Sequence, residues 1–370
     1  MKILVTGSSG FVGKNLVANL KTMPDCVLYE YDRENTIDDL NEYCADCDVV
    51  VHLAGVNRSE NVQDFVNGNL GVVSDVIASL EKHNNNAMLI YSSSIQAERD
   101  NVYGNSKKLA EEYLINKAKE TGREILIYRF TNLFGKWSRP NYNTVVATFC
   151  YNIARNLPIT ISDPNIKLNL CYIDDVIEEL INAINGKANY VDKNYCAVGK
   201  EYCVTLGELA TLIQGFVNSR KNLSVINTSN EFEKKLYSTY LSFLPEDEFD
   251  YPLNMHMDNR GSFTEILRTD SAGQFAVNVA KPGIVKGNHW HNTKNEKFLV
   301  VKGEAVIKFR KIGEEKIIEY VVNGNDLRIV DIPCGYTHSI TNTGDDDMIF
   351  FIWCNECYDP SYPDTYFMEV

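Results

Sequence analysis

Short apolar runs alternate with helical patterns from residue 2 to residue 130. The runs are K-I-L-V-T (2–6), C-V-L-Y-E-Y-D (26–32), V-V-V-H-L-A-G (49–55), A-M-L-I-Y-S-S-S (87–94) and I-L-I-Y-R-F (125–130). Continuous apolar runs are typical of strands buried on both faces, and helices between them favour a parallel sheet. We therefore predict a doubly wound α/β sheet, followed by helices at 145–157, 174–185 and 206–218.

The pattern changes from Leu253 onwards to short alternating or apolar segments with turn signals between them. These segments are Q-F-A-V-N-V-A (274–280), K-F-L-V-V (297–301), A-V-I-K-F-R (305–310), K-I-I-E-Y-V-V (316–322), L-R-I-V-D-I (327–332) and M-I-F-F-I-W-C (348–354). Such a series predicts an all-β barrel. We place two domains at 1–243 and 253–370, joined by an acidic linker with prolines at 244–252.

Composition narrows the range of partners. The chain has 370 residues, a formal net charge of −14 and ten cysteines. An acidic balance without a long Lys/Arg run argues against nucleic acid or an anionic membrane as a partner. With no bilayer-length apolar run and no signal-like segment before the first strand, we expect a cytoplasmic protein with reduced thiols. Two C-x-x-C pairs, Cys44/Cys47 and Cys354/Cys357, fall in different domains, so we favour buried or unreactive thiols over a zinc site.

A glycine-rich segment, G-S-S-G-F-V-G, joins the first apolar run to a helical pattern. Gly7 permits the tight turn, Gly10 lets backbone amides approach a pyrophosphate, and Gly13 lets the helix pack closely on the strand. Asp32 ends the second run and suits the ribose diol of NAD, whereas Arg33 suits the additional phosphate of NADP. We predict a Rossmann domain that prefers NADPH. The expected cofactor contacts are Gly7, Gly10, Phe11, Val12, Gly13, Asp32, Arg33, Leu53, Ala54, Gly55, Tyr103 and Lys107.

The segment Y-S-S-S-I-Q-A-E-R-D-N-V-Y-G-N-S-K (91–107) carries the candidate catalytic residues. Tyr103 and Lys107 are four residues apart at the start of a helix and therefore share one face. An ammonium near a phenol lowers the pKa of the phenol, which favours proton exchange with a sugar hydroxyl near neutral pH. The serine-rich strand end can hydrogen-bond the same oxygen.

Together with T-G-x-x-G-x-x-G, H-L-A-G and R-F-T-N-L-F-G, this segment resembles the extended short-chain dehydrogenase/reductase family over residues 1 to about 240. The resemblance implies that Tyr103 donates a proton, and that Lys107 tunes Tyr103 and holds the nicotinamide ribose. Ser94 matches the catalytic serine of that family best, with Ser92 and Ser93 as alternatives.

Members of this kind mostly act on nucleotide-sugars. The resemblance therefore makes R-F-T-N-L-F-G a substrate-side segment, with Arg129 and Asn132 as candidate contacts. The interval between Ser94 and Tyr103 is shorter than is usual in the family, which predicts a mobile or reshaped loop around Arg99.

Three histidines and one glutamate in the second domain are spaced as a metal site. His289 and His291 alternate on a predicted strand and so face the same way. A turn at 292–295 brings Glu296 back beside them, and His338 completes the set. Three imidazoles and a carboxylate suit a borderline divalent cation, with Zn²⁺ as first choice and Fe, Mn or Ni as alternatives. Both spacings match the paired motifs of the cupin family, a small β-barrel with its metal inside; chance placement of surface histidines is the alternative.

Three segments of the second domain together resemble the nucleotide-sugar 3,5-epimerases of the rhamnose pathway: D-N-R-G-S-F-T-E (258–265), V-K-G-N-H-W-H (285–291) and I-P-C-G-Y-T-H (332–338). The resemblance implies substrate contacts from the first segment, with Arg260 as a candidate, and a base at His289. Lys286 either binds diphosphate or is an ordinary surface lysine. Those epimerases need no metal, and a metal-bound His289 cannot take up a proton freely. Either a metal polarises the ketone and another group is the base, or the metal is structural.

A nucleotide-sugar reductase joined to an epimerase-like barrel resembles, over the whole chain, the CapF type of capsular polysaccharide enzyme. The resemblance implies conversion of a UDP-4-keto-6-deoxy-N-acetylhexosamine to UDP-2-acetamido-2,6-dideoxy-L-talose, on the way to N-acetyl-L-fucosamine. Because a barrel this small often pairs with a second copy, we also expect a homodimer. Two rival functions stay open. One is a reductase whose barrel only binds sugar or mediates dimerisation, and the other is a cupin dioxygenase fused to a reductase.

Overall fold

The computed structural model describes residues 1–269 and 272–370. These divide into two compact units, the first made of residues 1–214 and 229–245 and the second of residues 215–228 and 246–370. The second unit thus contains residues 215–228, which the sequence-based boundaries place in the first domain. The boundaries at 1–243 and 253–370 stay a prediction.

The first unit combines strands and helices in alternation. Its strands are β1 (Lys2–Thr6), β2 (Val27–Tyr31), β3 (Val49–His52), β4 (Met88–Ser94), β5 (Ile125–Phe130), β6 (Asn132–Phe134), β7 (Lys167–Tyr172), β8 (Tyr195–Cys196) and β9 (Tyr202–Thr205). The helices are α1 (Phe11–Leu20), α2 (Ile37–Asp46), α3 (Val62–Val66), α4 (Val72–Lys82), α5 (Val102–Thr121), α6 (Val145–Ala154), α7 (Ile173–Ile184), α8 (Leu206–Asn222), whose end belongs to the second unit, and α9 (Glu231–Leu241). A π-helical turn at Asn67–Gly71 and 3₁₀ turns at Ile95–Glu98 and Glu246–Glu248 are further regular segments. Among the described helices, none is long and apolar enough to cross a membrane.

Six of these strands form a parallel sheet in the order β2-β1-β3-β4-β5-β8. Alternate residues of each strand enter different cores. Ile3 and Val5 pack with residues of α1 and α7 on one face, whereas Leu4 packs with residues of α2 and α4 on the other. Because both faces are buried, the strands carry apolar residues at nearly every position. The predicted doubly wound Rossmann sheet is confirmed. A small three-stranded sheet, β6-β7-β9, lies beside it in the same unit.

The second unit is antiparallel throughout its described strands. They are β10 (Met255–Asp258), β11 (Gly261–Thr269), β12 (Gly273–Ala280), β13 (Val285–Trp290), β14 (Glu296–Lys302), β15 (Glu304–Lys311), β16 (Ile317–Asn323), β17 (Ile329–Ile332), β18 (Tyr336–Asn342), β19 (Met348–Cys354) and β20 (Tyr366–Phe367). Two sheets result, β10-β11-β12-β19-β14-β17 and β16-β15-β18-β13-β20. Their inner faces enclose Phe298, Ile307, Ile340 and Phe350. This arrangement confirms the predicted cupin-like β domain.

All ten cysteines are free thiols. Cys44, Cys47 and Cys354 are buried and Cys357 is partly buried. The two C-x-x-C pairs lie in different units, as the interpretation of buried thiols expects.

Candidate active site and metal centre

The loop between β1 and α1 forms a tight cradle. Gly7 has a φ of +68°, and a Cβ there would lie 2.7 Å from the backbone nitrogen of Ala54, so only glycine fits. The amide of Gly10 donates to the carbonyl of Gly7 at 3.0 Å, and α1 begins at the next residue. The loop and the free amides of a helix N-terminus suit a pyrophosphate. The structure thus brings two expected cofactor segments, the glycine loop and Leu53–Gly55, against each other.

Asp32 lies directly after β2, beside the same loop. Its carboxylate accepts hydrogen bonds from the backbone amide of Ser9 at 2.7 Å and from the hydroxyl of Ser9 at 2.5 Å. The backbone amide of Arg33 donates to its other oxygen at 3.0 Å, while the Arg33 side chain is exposed. The acidic end of β2, the glycine loop and an exposed guanidinium together fit a nicotinamide dinucleotide.

The three predicted catalytic residues lie together in the first unit. Ser94 ends β4, and its side chain lies close enough to Tyr103, in the first turn of α5, to act on the pKa of the phenol. Lys107, one turn further on, is 3% exposed and donates to the carbonyl of Ser92 at 2.9 Å. The hydroxyl of Ser93 instead hydrogen-bonds the carboxylate of Glu111. Of the three serines, Ser94 is the one whose side chain acts on the pKa of Tyr103.

The short interval between Ser94 and Tyr103 is taken up by a 3₁₀ turn. The turn, Ile95–Glu98, starts with the amide of Gln96 donating to the Ser94 hydroxyl at 3.2 Å. A Cβ at Gly104 would lie 2.0 Å from the carbonyl oxygen of Gln96. The start of α5 therefore packs directly on this turn, and the expectation of a mobile or reshaped loop around Arg99 stays a prediction.

Burial dominates the electrostatics of this site. It raises the pKa of Tyr103 above the ordinary value, opposed by the polar side chain of Ser94. This direction is opposite to the lowering that we predicted from Lys107, because desolvation of a phenolate outweighs the effect of its neighbours. Burial also lowers the pKa of Lys107 to about 8, opposed by the charge of Glu111.

The four predicted metal ligands also lie together, in the second unit. His289 on β13 pairs with His338 on β18, next to a bulge at Gly287–His289. His291 follows β13, and Glu296 begins β14. One potential ligand atom from each of the four lies within 4.8 Å of all the others.

The donor atoms of this cluster point at one another without well-formed hydrogen bonds among the described residues. They include Nε2 of His291, Nε2 of His338 and Oε2 of Glu296, all buried. Buried polar atoms without partners are costly, and a cation bound between them removes that cost. Three imidazoles and a carboxylate are also a usual ligand set for Zn²⁺. The residues present therefore fit a divalent metal ion.

The protonation of the cluster suits metal binding as well. Burial lowers the pKa of His289 to about 4, and the neighbouring His338 adds to the effect, so the imidazole of His289 is neutral. Although burial alone would raise it, the pKa of Glu296 is held below the ordinary range by the adjacent imidazoles of His291 and His338. The thiol of Cys354 donates to Oε1 of Glu296 at 3.2 Å. Only Oε2 of the carboxylate then faces the histidines.

Comparison with known proteins agrees with both halves of the chain. Residues 3–197 match the NAD dependent epimerase/dehydratase family, and residues 256–366 match the polysaccharide biosynthesis C-terminal domain. The whole chain is 44% identical to the UDP-2-acetamido-2,6-beta-L-arabino-hexul-4-ose reductase of Pseudomonas aeruginosa and covers 99% of it. It is 49% identical to the capsular polysaccharide assembling protein CapF from Staphylococcus aureus, with full coverage of both chains and a TM-score of 0.95.

The chain belongs to the CapF family. Hydrogen bonds around Tyr103 and Lys107 involve buried polar residues that the sequence reasoning missed. Asn69, in the π-helical turn, is buried and donates to the hydroxyl of Ser106 at 2.9 Å and to the carbonyl of Val56 at 3.1 Å. A Cβ at Gly55 would lie 2.6 Å from its side-chain oxygen and 3.2 Å from Nζ of Lys107. A π-helical turn of this kind leaves no periodic signal in a sequence.

Glu111 is the second missed residue of this CapF-type site. It is 1% exposed and lies one helical turn beyond Lys107. Arg129 donates to it at 2.6 Å and to Glu98 at 2.7 Å. The predicted substrate residue Arg129 is thus paired with two carboxylates, and its substrate role stays a prediction. Asn132, the other predicted contact on this side, is exposed and donates to the carbonyl of Asn169 at 3.2 Å.

Two exposed arginines near the reductase site were also missed. The guanidinium carbons of Arg58 and Arg139 lie 5.9 Å and 5.0 Å from the ring centroid of Tyr142. Tyr142 is close enough to Tyr103 to raise its pKa. Both arginines lie in loops, which have no periodic sequence pattern. The sequence therefore could not predict that both side chains lie near the ring of Tyr142.

The two predicted substrate residues of the barrel line a cleft of about 420 Å³ along β10 and β11. Arg260 is exposed and pairs with Asp258 at 2.6 Å. Lys286 is partly buried and donates to the carbonyls of Val279 at 2.9 Å and Ser262 at 3.0 Å. Their binding of substrate stays a prediction.

Proposed function

We propose that this chain converts a UDP-4-keto-6-deoxy-N-acetylhexosamine to UDP-2-acetamido-2,6-dideoxy-L-talose for capsular polysaccharide synthesis. In this proposal the barrel inverts C3, and the Rossmann domain then reduces the ketone at C4 with NADPH. The name of the Pseudomonas relative, a reductase of a UDP-linked hexul-4-ose, supports the reduction. The single observation that carries the reductase assignment is the convergence of Ser94, Tyr103 and Lys107 at the end of β4, where Lys107 donates to the carbonyl of Ser92 at 2.9 Å.

Reduction of a ketone requires a hydride on carbon and a proton on oxygen. When bound, the reduced nicotinamide supplies the hydride to C4. Tyr103 is a phenol at neutral pH, because burial raises its pKa, and it therefore has a proton to give to the carbonyl oxygen. Ser94 orients that phenol. Lys107, below pH 8, adds a positive charge where negative charge develops.

The choice of NADPH over NADH is supported by the end of β2. The Asp32 carboxylate already accepts hydrogen bonds from Ser9, whereas the Arg33 guanidinium is exposed. An exposed guanidinium can make a charge-assisted hydrogen bond with the 2′-phosphate of NADPH. The ribose diol of NADH carries no charge and gains no such contact. Comparing the KM for NADPH and NADH in wild type and Arg33→Ala tests this; a selective rise in the KM for NADPH is expected.

The epimerase step has to precede the reduction. A ketone at C4 acidifies the C3–H bond, so a base can remove the proton to give an enolate that is reprotonated on the opposite face. Once C4 is reduced, this route is closed. When bound at His289, His291, Glu296 and His338, a divalent cation supplies a Lewis acid or a structural brace. The base stays unassigned, because His289 cannot ligate a metal and accept a proton with the same nitrogen.

The diphosphate of the substrate needs cationic partners near the reductase site. Arg58 and Arg139 converge on the ring of Tyr142, which lies near Tyr103. Guanidinium groups match phosphate oxygens in a bidentate manner. These two arginines are therefore proposed to bind the diphosphate of the UDP-sugar in the reductase domain.

The homodimer is proposed to form through an edge strand of the barrel. β16 lies at one end of its sheet, and Ile317, Tyr320 and Val321 on it are exposed, Val321 by 70%. An exposed apolar edge strand is a template for pairing with another chain. Val321→Asp should shift the protein towards the monomer in sedimentation, and an unchanged dimer would exclude this edge.

Product analysis tests the proposed function as a whole. Purified protein is incubated with NADPH and a UDP-4-keto-6-deoxy-N-acetylhexosamine, and the product is identified by NMR. A sugar inverted at C3 and reduced at C4 is expected. A product reduced at C4 with its original C3 configuration would instead favour the rival reductase with a non-catalytic barrel.

A further inference from the structure

The turn that joins two of the predicted metal ligands is held by a residue near the end of the chain. Residues 292–294 lie between His291 and Glu296, and their three backbone amides all donate to the carboxylate of Asp364 at 2.9–3.0 Å. The hydroxyl of Thr293 donates to the same carboxylate at 3.1 Å. Consecutive amides that converge on one anion form a nest, and hydrogen bonds to a charged acceptor are the strong kind.

The remaining amide of this turn is held as well. The backbone amide of Asn295 donates to the side-chain oxygen of Asn355 at 3.0 Å. Lys294 is 7% exposed, and its ammonium donates to the hydroxyl of Thr365 at 2.9 Å. Every backbone amide between His291 and Glu296 is therefore fixed by a side chain outside the turn.

The backbone of Asp364 also acts on one ligand directly. Its carbonyl oxygen lies 2.6 Å from Nδ1 of His291. A carbonyl can only accept, so Nδ1 carries the proton and Nε2 keeps its lone pair. That Nε2 lies 3.7 Å from Oε2 of Glu296, inside the cluster of ligands. Asp364 thus fixes the tautomer of His291 and the turn that leads from it to Glu296.

We propose that Asp364 is a positioning residue for the metal centre. It holds His291 and the turn at 292–295 in the arrangement that binds the cation. The chain therefore loses little conformational entropy when the metal binds. The inference rests on the metal centre of the proposed function and not on its epimerase activity. Partners of metal ligands with this role are worth about 10- to 100-fold in metal affinity.

The Kd for Zn²⁺ tests the proposal without substrate. The full chain, stripped of metal, is titrated with Zn²⁺ against a chromophoric chelator as wild type and as Asp364→Asn. Asn keeps the backbone carbonyl and tolerates the φ of +38° at this position, but its amide NH₂ opposes the converging N–H groups. We expect a Kd raised about 10- to 100-fold. A Kd within twofold of wild type in the folded variant overturns the proposal.

Two further variants keep the test decisive. Asp359→Asn changes an exposed acid in the same C-terminal stretch, whose hydrogen bonds within residues 1–269 and 272–370 go to Ser361 and Tyr362, and its Kd should match wild type. If Asp364→Asn does not fold, Thr293→Val decides, because it removes one bond to the carboxylate and keeps every amide; about threefold weaker binding is expected, and no change overturns the proposal. If wild-type protein binds no Zn²⁺, the metal centre is excluded and the proposal about Asp364 fails with it. Product analysis tests the enzyme activity separately, so the two failures can be distinguished.

Discussion

Ser94 and Tyr103 interact through their side chains although they lie on different elements, the end of β4 and the first turn of α5. The 3₁₀ turn between them and the close approach of Gly104 to Gln96 make this contact possible. Because Tyr103 is partly buried and desolvation raises its pKa, the phenol is protonated at neutral pH, and the pair is arranged to give a proton to a carbonyl oxygen rather than to take one from an alcohol.

Tyr103→Phe should abolish reduction and spare the C3 chemistry of the barrel. The change removes the proton donor and keeps the ring, and loss of a positioned acid costs about 10²- to 10⁴-fold in rate. The rate of NADPH oxidation and the rate of solvent exchange at C3 are measured on the same preparation. Equal loss of both activities would contradict separate sites in the two units.

Lys107→Met should stabilise the protein while it removes reductase activity. The pKa of Lys107 is lowered from 10.5 to about 8 by burial, so below pH 8 the folded protein bears the cost of a buried charge, about 3 kcal/mol. The cost fades as pH rises from 8 to 10.5, since the folded state releases this proton first. Lys107→Met also loses the hydrogen bond to the Ser92 carbonyl, which reduces the expected stabilisation by about 1 kcal/mol.

We therefore expect the free energy of unfolding to rise by about 1–3 kcal/mol at pH 7 in Lys107→Met, and by less than half of that at pH 9.5. Denaturant titrations at both pH values measure it. Lys108→Met, on the same helix but exposed, should leave stability nearly unchanged. If Lys107→Met is less stable than wild type at pH 7, the buried charge of Lys107 does not destabilise the folded protein as proposed.

Much of the reductase half could be predicted from sequence because its signals are local. Continuous apolar runs indicated the parallel strands, and Tyr103 and Lys107 are one turn apart on one helix. Glu111 could not be found in this way, since a glutamate on a helix is ordinarily exposed, and its burial depends on Ser93 and Arg129 from neighbouring strands. The predicted direction of the Tyr103 pKa shift was also wrong, because the shift depends on burial and not on the nearest charge.

His338→Ala should lose the bound metal. The imidazole is fully buried among the other three ligands and leaves only two histidines and one carboxylate when removed. Metal content per chain, measured by elemental analysis after dialysis, is expected to fall from one equivalent to near zero. His83→Ala, an exposed histidine of the other unit, should retain the metal. Full occupancy in His338→Ala would contradict the ligand set.

Arg139→Ala should raise the KM for the UDP-sugar about tenfold or more and change kcat little. A guanidinium that binds the diphosphate contributes equally before and during the reaction, which is the signature of uniform binding, and a charge-assisted contact is worth about 1.5–3 kcal/mol. Arg58→Ala should act in the same direction. Arg328→Ala, an exposed arginine of the barrel, is the matched control. An unchanged KM in both Arg139→Ala and Arg58→Ala would exclude this diphosphate site.

In the barrel, too, the residues with local sequence signals could be predicted and the distant ones could not. His289, His291 and Glu296 could be grouped because alternation on a strand and a short turn determine their directions, and His338 followed from a second motif. Asp364 could not, since it lies 73 residues from His291 and belongs to no motif. Its part in the site comes from the backbone amides that it accepts, and these are not visible in a sequence.

Solvent exchange at C3 tests most directly whether one ketone serves two reactions. The full-length protein is incubated in D₂O with a UDP-4-keto-6-deoxy-N-acetylhexosamine and no nicotinamide, and the C3 proton is followed by NMR. We predict that its signal disappears while the C4 ketone persists. A C3 signal of full intensity, in protein that still reduces the ketone when NADPH is added, would contradict the epimerase role of the barrel.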